Sequence, residues 1–319
     1  MSRIFCIFVK SKTRMNVLLT GANGQLGRAI ADALQVSSET VHNNWILTTR
    51  EDLDVTDEET VEKYILENKI NIIVNCAAYT DVDKAEVERE KCEAVNSLAP
   101  GYLAKAASKN GALLIHFSTD YVYNGMTFFP YDEKRQTMPR NYYGLTKLNG
   151  EKAIIDSGCS YVIFRLQGLY SKYKKNFFST ILEKARSNEF EAVPVVADQI
   201  TGIVSAETVA THLLEMIEGN PYLPGRLTNR GIYNFSDLGC ASWYDYATYA
   251  INYCGLAPKH AKPITSKEYK EIKIGAADRP HYSVLSKRKY QKDFYQPLNH
   301  WSYSLNNYLD FYMKNNGWN

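Results

Sequence analysis

The stretch Asn16-Val17-Leu18-Leu19-Thr20-Gly21-Ala22-Asn23-Gly24-Gln25-Leu26-Gly27 decides the fold. Val17 to Thr20 reads as a short apolar strand, and from Gln25 the apolar residues recur at helical spacing. Between them Gly21, Gly24 and Gly27 form Gly-x-x-Gly-x-x-Gly. Glycines here let the chain turn sharply and let a pyrophosphate approach the backbone N–H groups at the helix start. A glycine triplet alone is a weak signal. Strand before it, helix after it and a place at the head of a βαβ series make it a dinucleotide site.

Working outward, strands are expected at Val17 to Thr20, Trp45 to Thr49, Ile70 to Cys76, Leu113 to Ser118 and Tyr161 to Arg165. Helices are expected from about Gln25, Asp57, Asn96 and Tyr142. Alternation of this kind predicts an α/β fold with a doubly wound, Rossmann-type parallel sheet. Residues 15–170 read as the dinucleotide-binding domain. Beyond them Pro194, Pro221, Pro224, Pro258 and Pro263 break the chain into irregular segments. Residues 171–319 are therefore expected to form mainly a smaller substrate lobe, interleaved with the last elements of the first domain. Residues 1–14 carry four basic residues and no acidic ones, and their apolar run Ile4 to Val9 is too short for a signal peptide or a membrane span. They are read as a disordered extension or a misassigned start ahead of Met15.

With 319 residues, 45% of them apolar, the chain can bury a substantial core. A net charge of +2 argues against nucleic acid or membrane partners and for a small-molecule ligand. The six cysteines include no Cys-x-x-Cys pair and no grouped histidines, so reduced thiols in a cytoplasmic protein without a metal are expected.

Tyr143 and Lys147 lie four residues apart at an expected helix start, which places both side chains on one helix face. An ammonium beside a phenol favours phenolate, so the pair reads as an acid/base device. Tyr170 with Lys174 and Tyr269 with Lys273 share the spacing. Tyr143 alone follows a strand, Leu113 to Phe117, that ends in Ser118-Thr119-Asp120, and ligands bind beyond the carboxyl ends of such strands. Thr119 is the candidate hydroxyl for polarising a carbonyl, with strand-terminal backbone bonding as the alternative for it and for Ser118. Asp120 borders the same place or caps the loop. The second strand ends in Arg50, where a guanidinium suits a ribose 2′-phosphate better than a free 2′-hydroxyl. NADPH is therefore expected, with NADH possible. Asp54 and Val55 are placed at the adenine, and Ala77, Ala78 and Tyr79 under the nicotinamide ribose.

Gly21 to Gly27, Asn75-Cys76-Ala77-Ala78-Tyr79-Thr80-Asp81-Val82-Asp83-Lys84-Ala85-Glu86, Ser118-Thr119-Asp120-Tyr121-Val122-Tyr123, Tyr143-Gly144-Leu145-Thr146-Lys147-Leu148-Asn149-Gly150-Glu151 and Asp198-Gln199-Ile200-Thr201-Gly202 together resemble the dTDP-4-dehydrorhamnose reductases. These belong to the extended short-chain dehydrogenase/reductases. The resemblance covers nearly all of Asn16 to Tyr312, and Val82 to Glu86 is its most specific part. It implies Tyr143 as proton donor, Lys147 as its activator and ribose ligand, and Thr119 as the carbonyl-polarising hydroxyl. It further implies Gly24, Gln25 and Leu26 around the cofactor phosphates, and Asn176, Arg279 and Pro280 near a dTDP-linked 4-keto-6-deoxy sugar. A monomer or homodimer is expected.

Two departures stand out. Many members have Arg-Thr-Ser-Trp-Val-Tyr where this chain has Arg165-Leu166-Gln167-Gly168-Leu169-Tyr170, so an aromatic wall against the sugar is missing at position 168. Ala29 stands where some members have a glutamate that helps bind Mg²⁺ between subunits, which counts against a metal-bridged dimer. A 4,6-dehydratase would show Thr-Asp-Glu where Thr119-Asp120-Tyr121 stands, and tyrosine cannot act as that carboxylate base. Two alternatives remain: another sugar-nucleotide 4-ketoreductase, or a non-catalytic dinucleotide-binding subunit resembling the regulatory subunit of methionine adenosyltransferase.

Overall fold

The computed structural model describes residues 14–187, 189, 191–219 and 230–317. The expectation for residues 1–14 lies, apart from residue 14, outside them. In chain order the elements are β1 (Asn16–Thr20), α1 (Gln25–Val36), β2 (Asn44–Thr48), α2 (Glu58–Glu67), β3 (Ile72–Asn75), α3 (Arg89–Glu93), α4 (Ala99–Asn110), β4 (Leu113–Thr119), α5 (Tyr142–Asp156) and β5 (Ser160–Leu166). There follow β6 (Leu169–Tyr170), α6 (Phe177–Arg186), β7 (Ala192–Val196), β8 (Ile200–Thr201), β9 (Val204–Ser205), α7 (Ala206–Glu218), β10 (Gly231–Phe235), β11 (Ala241–Ser242), α8 (Trp243–Tyr253), β12 (His260–Ile264), α9 (Ser266–Ile272), α10 (Arg288–Phe294) and α11 (Trp301–Asn315).

The five strands expected from the sequence all form, within two residues at each end; β1, β3, β4 and β5 are largely buried on both sheet faces, while the edge strand β2 is partly exposed. With β10 they make one parallel sheet in the order β10-β5-β4-β3-β1-β2. Strand order reverses at β1, so a crevice opens between the carboxyl ends of β1 and β3. One face is covered by α1 and α7 through Leu26, Ile30, Val209 and Leu213. The other is covered by α2, α4 and α5 through Val61, Ile65, Leu103 and Ile154.

The helix expected from Asn96 begins earlier. Arg89–Glu93 is already helical, and Ala94–Leu98 is a π-helical turn leading into α4. That turn aims the Asn96 side chain at the loop after β3, where it accepts from Tyr79 N at 3.0 Å and donates to Tyr79 O at 2.9 Å. A local widening of this kind cannot be read from apolar periodicity.

Beyond β5 the short strands pair as β6 with β9, β7 with β12 and β8 with β11, packed with α6, α8 and α11. An aromatic cluster of Tyr170, Phe178, Tyr246 and Tyr308 fills this part. Tyr170 is edge-on to Phe178 and Tyr308 at 5.0 and 5.3 Å. It is a core residue, and its spacing from Lys174 has no catalytic meaning. Among the described residues no helix is long and apolar enough to cross a membrane.

Candidate active site

A cleft of about 440 Å³ opens at the carboxyl ends of β1, β3, β4 and β5. Its floor is the start of α1. Gly24 is the N-cap and offers no side-chain cap, so the N–H groups of the first turn face the cleft beside Gln25 and Leu26. Gly21 turns the chain at φ +66°, and a Cβ there would lie 2.7 Å from Ala77 N. A Cβ on Gly27 would lie 2.3 Å from Gly21 O. These two glycines shape the turn from behind, while Gly24 presents it. The arrangement fits a dinucleotide pyrophosphate: an open helix N-terminus with no acidic residue in its first turn.

Thr119, Asp120, Tyr143 and Lys147 converge on this cleft with Ala77 and Ala78. Asn141 caps α5, accepting from Gly144 N at 2.7 Å, and Glu86 accepts from Tyr142 N at 2.8 Å. Glu86 and Asp83 explain the segment Val82 to Glu86. Asp83 pairs with Lys273 at 2.5 Å and Arg279 at 2.7 Å, tying the loop after β3 to the C-terminal part. Lys273 is thereby assigned a structural task, and Tyr269 on α9 does not line the cleft.

The two hydroxyls at the end of β4 divide their work. Ser118 donates to the buried Glu151 at 2.5 Å, and Glu151 is ion-paired with Arg165 at 2.5 Å. Thr119 donates to Asp120 at 3.0 Å and accepts from Tyr121 N at 3.1 Å. A side-chain hydrogen bond also links it to Tyr143. Ser118 is therefore held by the core and Thr119 by the cleft. Burial pushes the Asp120 carboxyl up to about 6, against hydrogen bonds from Ser283, Thr119 and Thr201.

The Tyr143 phenol is not lowered as its pairing with Lys147 predicts. Burial raises the Tyr143 phenol well above its ordinary value, the Thr119 hydrogen bond opposes that, and Asp120 and Tyr121 reinforce it. Lys147 is itself buried and brought down to about 8 by desolvation. Its Nζ donates to Phe117 O at 2.6 Å and meets His116 Nε2 at 3.3 Å. The phenol is kept protonated, the form a proton donor needs.

Several expected ligands lie outside the cleft wall. Arg50 stands at the end of β2, 73% exposed, with Nε and Nη2 both 3.2 Å from Asp54 Oδ2. Asp54 also accepts from Thr56 N and Oγ1 at 3.0 and 2.6 Å, so it is engaged by its own turn. Val55 is a core residue, 7% exposed, because the turn directs it beneath the sheet edge. Tyr79 points toward α3, its ring 5.6 Å from Lys91 Nζ. Asn176 spends its side chain on the capping box of α6 and on Ser171 O. Arg279 lies behind the wall, bound to Asp83 and hydrogen-bonded to Tyr121, while Pro280 reaches the cleft. Ala29 is 2% exposed within the core under the sheet.

Some cleft residues escaped the sequence reading. Lys174 and Lys175 line the cleft, the first as the partner of a misleading tyrosine spacing. Trp243, the first residue of α8, also lines it. At position 168 a side chain is excluded: Gly168 has φ +45°, and a Cβ would lie 2.8 Å from Ile203 Cγ2 and 3.3 Å from Trp243 Cη2. The aromatic face missing between β5 and β6 is thus approached from α8. Only the aligned loss at 168 hinted that another aromatic was needed.

The sequence profile described as RmlD substrate binding domain matches residues 15–313. The dTDP-4-dehydrorhamnose reductase of Escherichia coli (strain K12) is 34% identical over 307 residues, covering 93% of this chain and 97% of that protein. A crystal structure of a dTDP-4-dehydrorhamnose reductase from Clostridium acetobutylicum superposes with a TM-score of 0.83 at 32% identity, covering 94% of this chain and all of that one. A second, from Bacillus anthracis in complex with NADP, gives a TM-score of 0.81 at 30% identity, with 92% and 97% coverage. On the profile match and these identities, the chain belongs to the dTDP-4-dehydrorhamnose reductase family.

Proposed function

We propose that this protein reduces the C4 ketone of dTDP-6-deoxy-L-lyxo-4-hexulose to dTDP-L-rhamnose, with NADPH as reductant. The observation that carries this reading is the convergence of Thr119, Tyr143 and Lys147 beside the uncapped N-terminus of α1 in one cleft. The cofactor supplies the hydride when bound. The first-turn N–H groups of α1 would hold its pyrophosphate, and Arg50, released from Asp54, would meet its 2′-phosphate. Thr119 turns its hydroxyl proton from Asp120 to the ketone oxygen and favours the charge that develops there. Tyr143, kept neutral by burial, gives its proton to the forming alkoxide. Lys174 and Lys175 face the substrate diphosphate at the mouth, and residues 171–319 supply most of the sugar-nucleotide lobe.

A non-catalytic binding subunit would have no need of this trio in register. Tyr143→Phe tests the point, because it keeps the ring against Tyr121, 5.9 Å away, and deletes the transferable proton. Turnover of NADPH with the 4-keto sugar is expected to fall roughly 10²- to 10⁴-fold while NADPH affinity persists. The product, identified by NMR, is expected to be the rhamnose epimer. A variant within threefold of wild type, with chemistry rate-limiting, would remove the reading. Turnover of a different 4-keto sugar alone would correct the substrate and leave the roles in place.

A further inference from the structure

A second concavity, a groove of about 980 Å³, opens beside the loop that leaves the carboxyl end of β10 and shares no lining residue with the catalytic cleft. Small-molecule sites span roughly 300–1,000 Å³, so it is roomy enough for a nucleotide-sized ligand. Phe129, Leu238 and Leu285 give it apolar surface. Five cationic side chains also line it, Lys134, Lys287, Arg288, Lys289 and Lys292, against three carboxylates. Each carboxylate already accepts a hydrogen bond: Asp132 from Lys134 N at 3.0 Å, Glu133 from Asn234 N at 2.9 Å and Asp293 from the Tyr233 hydroxyl at 3.0 Å. Lys289 is likewise engaged, donating to Ile232 O at 2.6 Å. Lys287 is different. It is only 9% exposed, and among the described residues its ammonium has no hydrogen-bond or ion-pair partner. Burial lowers the amine from its ordinary value, and the opposing pull of Cys240 and Asp237 does not restore it. A desolvated ammonium without a contact is costly, so an anion brought to it is favoured. The lining's excess of two positive charges matches a phosphate monoester dianion better than a single carboxylate.

We propose that this groove binds a phosphate monoester with an aromatic body, the phosphate against Lys287 and the body against Phe129 and Leu285, and that its occupancy alters sugar-nucleotide binding in the cleft. The second half rests on the function proposed above. Two chain segments wall both spaces. Residues 280–287 bring Pro280 and Ser283 to the cleft but Val284, Leu285 and Lys287 to the groove. Residues 238–243 bring Leu238 and Cys240 to the groove and Trp243 to the cleft. Gln167, fully buried just after β5, clamps the two segments together. Its Nε2 donates to Ser283 O at 2.7 Å, and its Oε1 accepts from Leu285 N at 3.1 Å and from Ser236 Oγ at 3.0 Å. A carbonyl can only accept and a backbone N–H can only donate, so the amide has one orientation and the clamp has no slack. Ser283 Oγ in turn donates to Thr201 Oγ1 at 3.0 Å and is hydrogen-bonded to Asp120, the partner of Thr119. A ligand that draws on Lys287 therefore pulls on a segment whose other side is wall of the cleft.

Calorimetric titration of the NADPH-loaded protein with phenyl phosphate and with inorganic phosphate tests the site. Phenyl phosphate is expected to bind more tightly than inorganic phosphate, and Lys287→Met to weaken it about 10- to 150-fold, the loss of one hydrogen bond to a charged group. Should Lys287→Met fail to fold, Phe129→Ser, at a side chain 76% exposed, is expected to weaken phenyl phosphate about 2- to 10-fold and leave inorganic phosphate unchanged. The double variant Lys174→Ala with Lys175→Ala, in the cleft, should bind phenyl phosphate as the wild type does. No binding to the wild type, binding unmoved by Lys287→Met and by Phe129→Ser, or binding lost in the double variant would overturn the site. For the coupling, saturating phenyl phosphate is expected to change KM for the 4-keto sugar nucleotide at least about twofold in the wild type and not in Lys287→Met. A KM that stays put while calorimetry shows the groove filled, or one that moves equally in Lys287→Met, would overturn the coupling. Absence of any NADPH oxidation with the 4-keto sugar would bring down the proposed function instead, and the calorimetric arms would still decide the site.

Discussion

Replacing Arg50 with alanine should separate the two nicotinamide cofactors. In the cofactor-free protein the guanidinium makes two 3.2 Å hydrogen bonds to Asp54, with the two side chains 73% and 36% exposed. An ion pair this exposed is worth only about 0–1 kcal/mol, so releasing it costs little. Hydrogen bonds between a guanidinium and a phosphate contribute about 1.5–3 kcal/mol. The difference leaves a net loss of about 0.5–3 kcal/mol for NADPH in Arg50→Ala, about 2- to 150-fold in Kd. NADH, which has no phosphate there, should be nearly unaffected. Asp54→Asn supplies the converse. It keeps an oxygen for Thr56, which donates to Asp54 Oδ1 from N and Oγ1 at 3.0 and 2.6 Å, but removes the charge that holds Arg50. NADPH should bind up to about fivefold more tightly to it, since the competing pair is worth about 1 kcal/mol at most. Calorimetric titration of both cofactors into the three proteins reads all of this. Equal losses for NADPH and NADH in Arg50→Ala, or weaker NADPH binding in Asp54→Asn, would refute the reasoning.

Glu151→Gln should destabilise the fold by about 3–5 kcal/mol in urea titrations, because it leaves Arg165, 3% exposed, as an unmatched buried charge; a loss under about 1 kcal/mol would mean that Tyr123, 2.6 Å from Arg165, suffices. Asp237 has both carboxylate oxygens buried, and desolvation raises it to about 6 against the weaker opposing effects of Ser304 and Lys287. The folded state therefore binds more protons than the unfolded one between the ordinary carboxylate value and about 6, and stability is lost as pH rises through that window. Asp237→Asn should be the more stable protein above pH 6, on the order of 2 kcal/mol, with the gap closing toward pH 4; a pH-independent difference would contradict this. Trp243→Ala should raise KM for the sugar nucleotide roughly tenfold through lost ring packing, leaving NADPH affinity unchanged, and a parallel loss of NADPH binding would place the indole elsewhere.

The alternation of apolar runs with helical spacing was enough to place five of the six strands of the central sheet, since a parallel strand buried on both faces must be apolar throughout. The sixth, β10, is separated from β5 by more than sixty residues, and its partner is chosen by packing rather than by local pattern. The same division holds in the cleft. Gly21, Gly24, Gly27, Tyr143 and Lys147 are legible because backbone turns and one helix face are local properties of a chain. Whether Tyr170 or Tyr143 meets the cleft, whether Ser118 or Thr119 remains available there, and whether Arg50 is free or paired depend on neighbours far away in sequence. So do the raised Tyr143 phenol and the lowered Lys147 amine, because desolvation is set by everything that surrounds a group and not by the residue four places along its helix. Sequence alone singled out the candidate residues for the chemistry. Tertiary structure decided which way each of them faces and what holds its proton.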